Sequence, residues 1–287
     1  MKKRVILLVS VILLTAVFTP AVFADMGPKD SLTVYLENPP DELYYLDLLY
    51  ETDRDQVYPN LSEDELASLD NDMLNAIREN KFGLTAALTD GTGIPTFGSL
   101  TGKSDGLCMK HTFSYYGLPD TYRIIIVTES GRVHVSEEYT RKAMQSSITY
   151  DYRSGTAEIP PLWTQYALQF LYTFLMTLII EGAIFLLSRF SLRRDGAVFL
   201  CVNLITQIAL SVFVGHAMIM GGSVNSFIRL LMCEPFILIA ESTAFAFLMK
   251  DHTRARRIGF GITANLVSWI TGMLTNGILY SIIVRIA

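Results

Sequence analysis

Hydrophobic positions in this chain follow two different rules. Up to about residue 160 they come in short runs broken by Gly, Pro, Asn and Ser, the punctuation of strands and turns. Beyond that point they merge into four long apolar spans, about 162–187, 196–220, 227–249 and 258–284. Each reaches or exceeds the ~20 residues needed to cross a ~30 Å hydrocarbon core.

In the first part, Leu32–Leu36 and Leu43–Tyr50 read as strands around an Asn38-Pro39-Pro40 turn. Two hairpins are predicted: Thr121–Thr128 with Arg132–Ser136 about Ser130-Gly131, and Ser147–Arg153 with Thr156–Ile159 about Ser154-Gly155. Alternation is only partial in Tyr122–Val127, as in a strand buried on both faces. One helix is marked by a capping box, Ser62 with Glu65, and a hydrophobic staple, Leu61 with Leu66. Its apolar face would hold Leu66, Leu69, Met73, Leu74 and Ile77, ending at Asn80. A Gly/Thr/Ser-rich stretch from Gly83 to Gly106 predicts a long loop with short strands. The expected fold is an α+β membrane protein: an exported β-sandwich-like domain with one helix, then a four-helix transmembrane bundle.

The ends and loops orient this arrangement. Residues 1–24 read as a secretory signal, with Lys2-Lys3-Arg4, an apolar core Val5–Phe18 and a small-residue cleavage site Val22-Phe23-Ala24. Uncleaved, the segment becomes an anchor, and residues 25–160 are exported either way. Arg189, Arg193 and Arg194 follow the first span. Lys250, Arg254, Arg256 and Arg257 follow the third, whereas the Gly221–Asn225 turn carries no charge. By the positive-inside rule both basic loops are cytoplasmic, residues 25–160 lie outside, and residues 161–287 form the membrane domain of a plasma-membrane protein.

Charge and cysteine content narrow the possibilities further. Residues 25–160 carry 23 acids and 11 bases, a net charge of −12; the remainder carries 5 acids and 12 bases. An acidic exported part excludes nucleic acid as a partner. Cys108 is the only cysteine in that part, with Cys201 and Cys233 in spans, so no internal disulfide can staple the β domain. A buried, inert Cys108 is expected.

Candidate chemistry lies in the spans. A carboxylate in hydrocarbon costs roughly 2.5–3.5 kcal/mol on insertion scales, yet Glu181, Glu234 and Glu241 all fall there. Depth counting puts Glu181, Asn203, Thr206, Gln207, Glu241, Asn265 and Ser268 in one layer. Asn203 and Gln207 share a helix face, as do Asn265, Ser268, Gly272 and Asn276. Amides and hydroxyls of this kind also serve as interhelical glue, with Gly272 allowing close approach. Glu234, with Asn276 at similar depth, sits beside Pro235, which predicts an outer-leaflet kink near Leu231. His216 is expected at the interface; no metal site and no cofactor are implied.

Several motifs fail on inspection. Gly98–Ser104 resembles a phosphate-binding loop but is one residue short between its glycines. Asp53/Asp55 and Asp70/Asp72 lack the glycine and distal Glu of a calcium loop. No Ser/His/Asp set, CxxC or HExxH occurs.

The start Asp25-Met26-Gly27-Pro28-Lys29-x-Ser31 and the segment Leu43-Tyr44-Tyr45-Leu46-Asp47-Leu48-Leu49 resemble a group of uncharacterised bacterial membrane proteins across essentially the whole chain. The resemblance implies the same layout and a bacterial origin, and no activity. A comparison with glutamic intramembrane proteases of the CPBP type fails: Glu-Glu-x3-Arg is absent, and Phe213-Val-Gly-His216 is one residue short of their Phe-x3-His element.

Three function classes fit. The first is an exported binding or sensing domain, anchored and relayed by the spans, with an external ligand, a protein partner or a second copy of the chain. The second is a proton- or cation-coupled transporter, or a subunit of one. The third, an intramembrane enzyme with Glu181 or Glu241 as general base, lacks a nucleophile or metal set.

Overall fold

The computed structural model describes residues 27–52 and 57–285. The signal-peptide reading, the residues Asp25-Met26 and the Asp53/Asp55 pair lie outside the described residues.

Among the described residues nine strands precede the long helices: β1 (Ser31–Glu37), β2 (Tyr44–Tyr50), β3 (Thr85–Ala86), β4 (Lys103–Asp105), β5 (Cys108–Ser114), β6 (Thr121–Thr128), β7 (Val133–Thr140), β8 (Gln145–Asp151) and β9 (Thr156–Glu158). They form two sheets, ordered β4-β5-β1-β8-β9 and β3-β2-β6-β7. The first sheet is mixed, with β1 antiparallel to β5 and parallel to β8. Both predicted hairpins form, and Gly131 and Gly155 take the positive φ that their turns require.

Leu32, Val34 and Leu36 of β1 share one apolar core with Leu46 and Leu48 of β2 and Ile124–Val127 of β6. Met73, Leu74 and Ile77 join the same core from a short helix packed on β6. A central strand covered on both sides has no polar face to alternate, which accounts for the run Ile124-Ile125-Ile126-Val127.

The expected single helix at 62–80 is two helices, α1 (Glu63–Ser68) and α2 (Asn71–Arg78). Ser62 and Glu65 form the capping box on α1. The break comes from Asp70, whose side chain accepts from the backbone N–H groups of Asp72 and Met73 and starts a second helix. An aspartate that can cap competes with its own place in a helix interior.

Among the described residues three helical runs are long and apolar enough to cross a membrane: Leu162–Leu187, Leu192–Leu248 and Arg254–Val284. The first is α3 (Leu162–Leu187). The second comprises α4 (Leu192–Leu210), a π-helical turn (Ser211–Gly215) and α5 (His216–Leu248); the third is α6 (Arg254–Val284). The expected Gly221–Asn225 loop between separate second and third spans is therefore corrected. The chain stays helical through it except at Gly222, whose φ of 76° and ψ of −177° break the run. Straight, the 57-residue run would reach about 85 Å. Instead its two limbs lie side by side, with Thr206 bonded to Glu241 and the Arg229 guanidinium donating to the Phe213 carbonyl. Pro235 sits inside α5, and the residue of that helix with non-helical backbone angles is Gly222.

Each end of the helical half is fastened. At the basic end, the buried Asp195 carboxylate accepts from the backbone N–H groups of Lys250 and Asp251, at 2.8 and 2.9 Å. Asp251 in turn accepts from Ser191 N–H and Arg194. Phe185, Phe190, Phe199, Phe245 and Phe260 pack as a buried aromatic cluster beneath these loops. At the opposite end the β domain is seated on the helices. Met144 N–H donates to the Ile219 carbonyl at 3.1 Å, and Gly222 lies against Pro28 and Met144. A Cβ at Gly222 would come within 2.4 Å of the Pro28 ring.

Candidate functional site

The interior of the helical half is polar along one line. Gln165, Gln169, Thr173, Thr177 and Glu181 of α3 recur every four residues, so one face of that helix carries five polar groups. Gln169 and Glu181 are each 2% exposed. Gln207 of α4 faces this stripe, donating to Thr173 at 2.7 Å and accepting from Thr177 at 3.4 Å. Ser268 of α6 approaches Thr177 at 3.5 Å, closing a chain of hydroxyls and amide across three helices.

A second set surrounds Glu241 of α5. One carboxylate oxygen accepts from Thr206 of α4, and the other from Asn265 of α6 at 2.9 Å. Gly261 permits this contact: a Cβ there would meet the Ser242 backbone at 2.8 Å. At Gly272, expected to provide close approach, a Cβ would have only ordinary contact with Leu230 at 3.9 Å.

Glu181 lies between these sets. Asn203 and Ser268 approach its carboxyl, and Glu241 and Glu234 are close enough to interact with it electrostatically. One Glu181 carboxylate oxygen and the Asn203 side-chain carbonyl are buried without a hydrogen-bond partner. Leaving such atoms unpaired costs roughly 1–3 kcal/mol each.

Glu234 is turned into the helical half and is 9% exposed. It lines a cavity of about 60 Å³ together with Gln207, Ser268, Thr271 and Asn276. A cavity needs roughly 10–15 Å³ on this measure to hold a water, so this one has room for water. Asn276 is fixed by Ser226 and the Ser223 carbonyl, at 3.1 and 2.9 Å. The structure thus joins Thr206, Glu241 and Asn265 directly, links Gln207 to Ser268 through Thr177, and sets Glu234 and Asn276 around one cavity. Thr173, Thr177 and Gln169 escaped the sequence reading; their four-residue spacing with Glu181 was the available signal. Among the described residues no group of three His, Cys, Asp or Glu has metal-site geometry.

The β domain holds its own buried polar groups. Asp47 on β2 is fully buried and accepts from the N–H groups of Leu48, Leu88 and Thr89 and from the Thr89 hydroxyl. Burial pushes its carboxyl up to about 6, against the downward pull of those bonds. His111 on β5 meets the Tyr44 hydroxyl at 3.0 Å, and burial pushes it down to about 4. The glycines of the failed phosphate-loop motif have packing roles. A Cβ on Gly102 would strike the His111 ring at 2.5 Å, and one on Gly98 would crowd Leu88 and Phe113 at 3.1 Å. Cys108 is partly exposed rather than buried, and burial together with Glu37 and Asp105 raises its thiol above the usual range. No protein family, curated protein or solved structure matches the chain.

Proposed function

We propose that this chain is a multi-pass membrane protein whose four crossings form a bundle, with residues 25–160 outside as a β-sandwich-like sensing domain. In this reading the buried glutamates take up or release a proton or small cation, and the bundle relays that change to the domain seated on it. The layout resembles that of the uncharacterised bacterial group named above.

One observation carries the proposal. Glu181, Glu234 and Glu241 lie buried within electrostatic reach of one another, Glu234 lines a small cavity, and the nearest base in sequence on α5, Arg229, points its guanidinium at Phe213 instead. Adding or removing a charge in so enclosed a place alters how the helices pack. Two of these glutamates are on α5, the helix whose start carries Gly222 and Ile219 against Pro28 and Met144. A charge event is thereby one helix away from the docking contact.

The test is hydrogen exchange on the full-length protein in lipid vesicles between pH 5 and 9. Protection at residues 141–146 and 216–224 should change with pH in wild type and become flat in Glu234→Gln and Glu181→Gln. Identical profiles in all three proteins would remove the relay. A transport reading gains support from the water-sized cavity. It predicts proton or cation flux in vesicles that drops at least tenfold in Glu234→Gln, and equal flux with and without the substitution would reject it.

A further inference from the structure

Away from the glutamates, the π-helical turn opens a groove on the flank of the helical half. Its volume is about 830 Å³, within the ~300–1,000 Å³ typical of ligand clefts. Phe170 of α3 and Leu204 and Ile208 of α4 line its apolar length, and Val212 and Phe213 of the π turn stand out at 62% and 57% exposure. The extra residue in a π turn displaces the helix surface locally, and such turns often mark functional sites.

One end of the groove is polar and basic. Tyr166 bonds His216 at 2.9 Å with their rings stacked, and Arg229 lies beside them. Arg229 is the only Lys or Arg between residues 195 and 249. Its guanidinium reaches the Phe213 carbonyl at 3.5 Å, and among the described residues it forms no ion pair. Gly222 is seven residues from Arg229 and six from His216, which sets both groups about 10 Å below the turn on adjacent limbs. In addition, Ser211 Oγ and Gln169 Oε1 line the groove, buried and without partners. Gln169 is 2% exposed, held tightly against Gly215 of the π turn.

We infer that this groove binds one anionic phospholipid, its phosphate on Arg229, His216 and Tyr166 and an acyl chain along Phe170, Leu204 and Ile208. An arginine held within the apolar span needs an anion to offset its charge, and a lipid phosphate is the anion available at that depth. A free phosphate would leave the apolar length of the groove unfilled. The inference rests on the membrane reading above.

Full-length protein is equilibrated with mixed micelles of phosphatidylglycerol and phosphatidylcholine, and retained lipid is counted by native mass spectrometry. Wild type should retain one phosphatidylglycerol with at least a fivefold preference over phosphatidylcholine. Arg229→Gln should abolish the preference, whereas Arg229→Lys, keeping the charge, should preserve it. Leu204→Trp, filling the groove with Arg229 intact, should cut retention at least fivefold. Millimolar inorganic phosphate should leave retention unchanged. Equal retention by Arg229→Gln, equal retention of phosphatidylcholine, or displacement by inorganic phosphate would each overturn the site. Failure of the protein to enter lipid vesicles at all would instead sink the membrane reading.

Discussion

Asp47 and His111 make opposite demands on pH. The Asp47 carboxyl, ordinarily near 3.8, is pushed up to about 6, so the folded state binds its proton more tightly and stability falls as pH rises across that window. His111, ordinarily near 6.5, is pushed down to about 4, so the unfolded state binds the proton more tightly and stability falls as pH drops through that window. Each shift of about two units is worth about 3 kcal/mol. The two slopes offset each other between about pH 4 and 6 in the intact protein. His111→Gln should unmask the Asp47 slope, giving a melting temperature that declines from pH 4 to 6. Tyrosine near-ultraviolet circular dichroism of the full-length protein in detergent reads this out, and a flat profile would contradict it. Asp47→Asn, which sets an amide N–H against the donors of Leu88 or Thr89, should cost about 1–3 kcal/mol at neutral pH. Gly102→Ala should cost a similar ~1–3 kcal/mol by forcing the His111 ring off Tyr44.

Among elements, the reversal at Gly222 is the most sensitive joint. Positive φ with extended ψ is essentially reserved for glycine and costs other residues about 1–3 kcal/mol before the contact with Pro28 is counted. Gly222→Ala should lower the melting temperature in detergent and raise hydrogen exchange at residues 216–226. Unchanged exchange there would mean that another residue absorbs the turn. Strand positions, both hairpins and the ends of α3 were legible because period, turn residues and length all agree there. The split between α1 and α2 was not, because Asp70 serves equally well as a surface helix residue or as a cap, and only tertiary packing decides. Pro235 continues within α5, as a proline is tolerated within an apolar helix when neighbouring helices hold the backbone in place. Glu181 and Glu241 were visible as isolated costly residues. Thr173 and Thr177 on the same face as Glu181 were hidden, since threonine in a long apolar span signals nothing until a facing helix supplies Gln207.

At the scale of the whole molecule, the proposed orientation makes Cys108 a reporter. With Cys201 and Cys233 replaced by Ser, an impermeant maleimide applied to intact cells should label the remaining thiol. Labelling should accelerate with pH beyond the range usual for cysteine, because burial, together with Glu37 and Asp105, disfavours the thiolate. Labelling only after permeabilisation would invert the topology. The seat of Pro28 and Met144 on Gly222 carries a further implication for anyone dissecting this protein. The two middle helices turn around so sharply that they own no connecting segment at that end, and the strand domain does the work of one. Excising it would not yield a neutral anchor but a bundle with its lid torn off, so a truncation phenotype would report lost helix alignment as much as lost recognition.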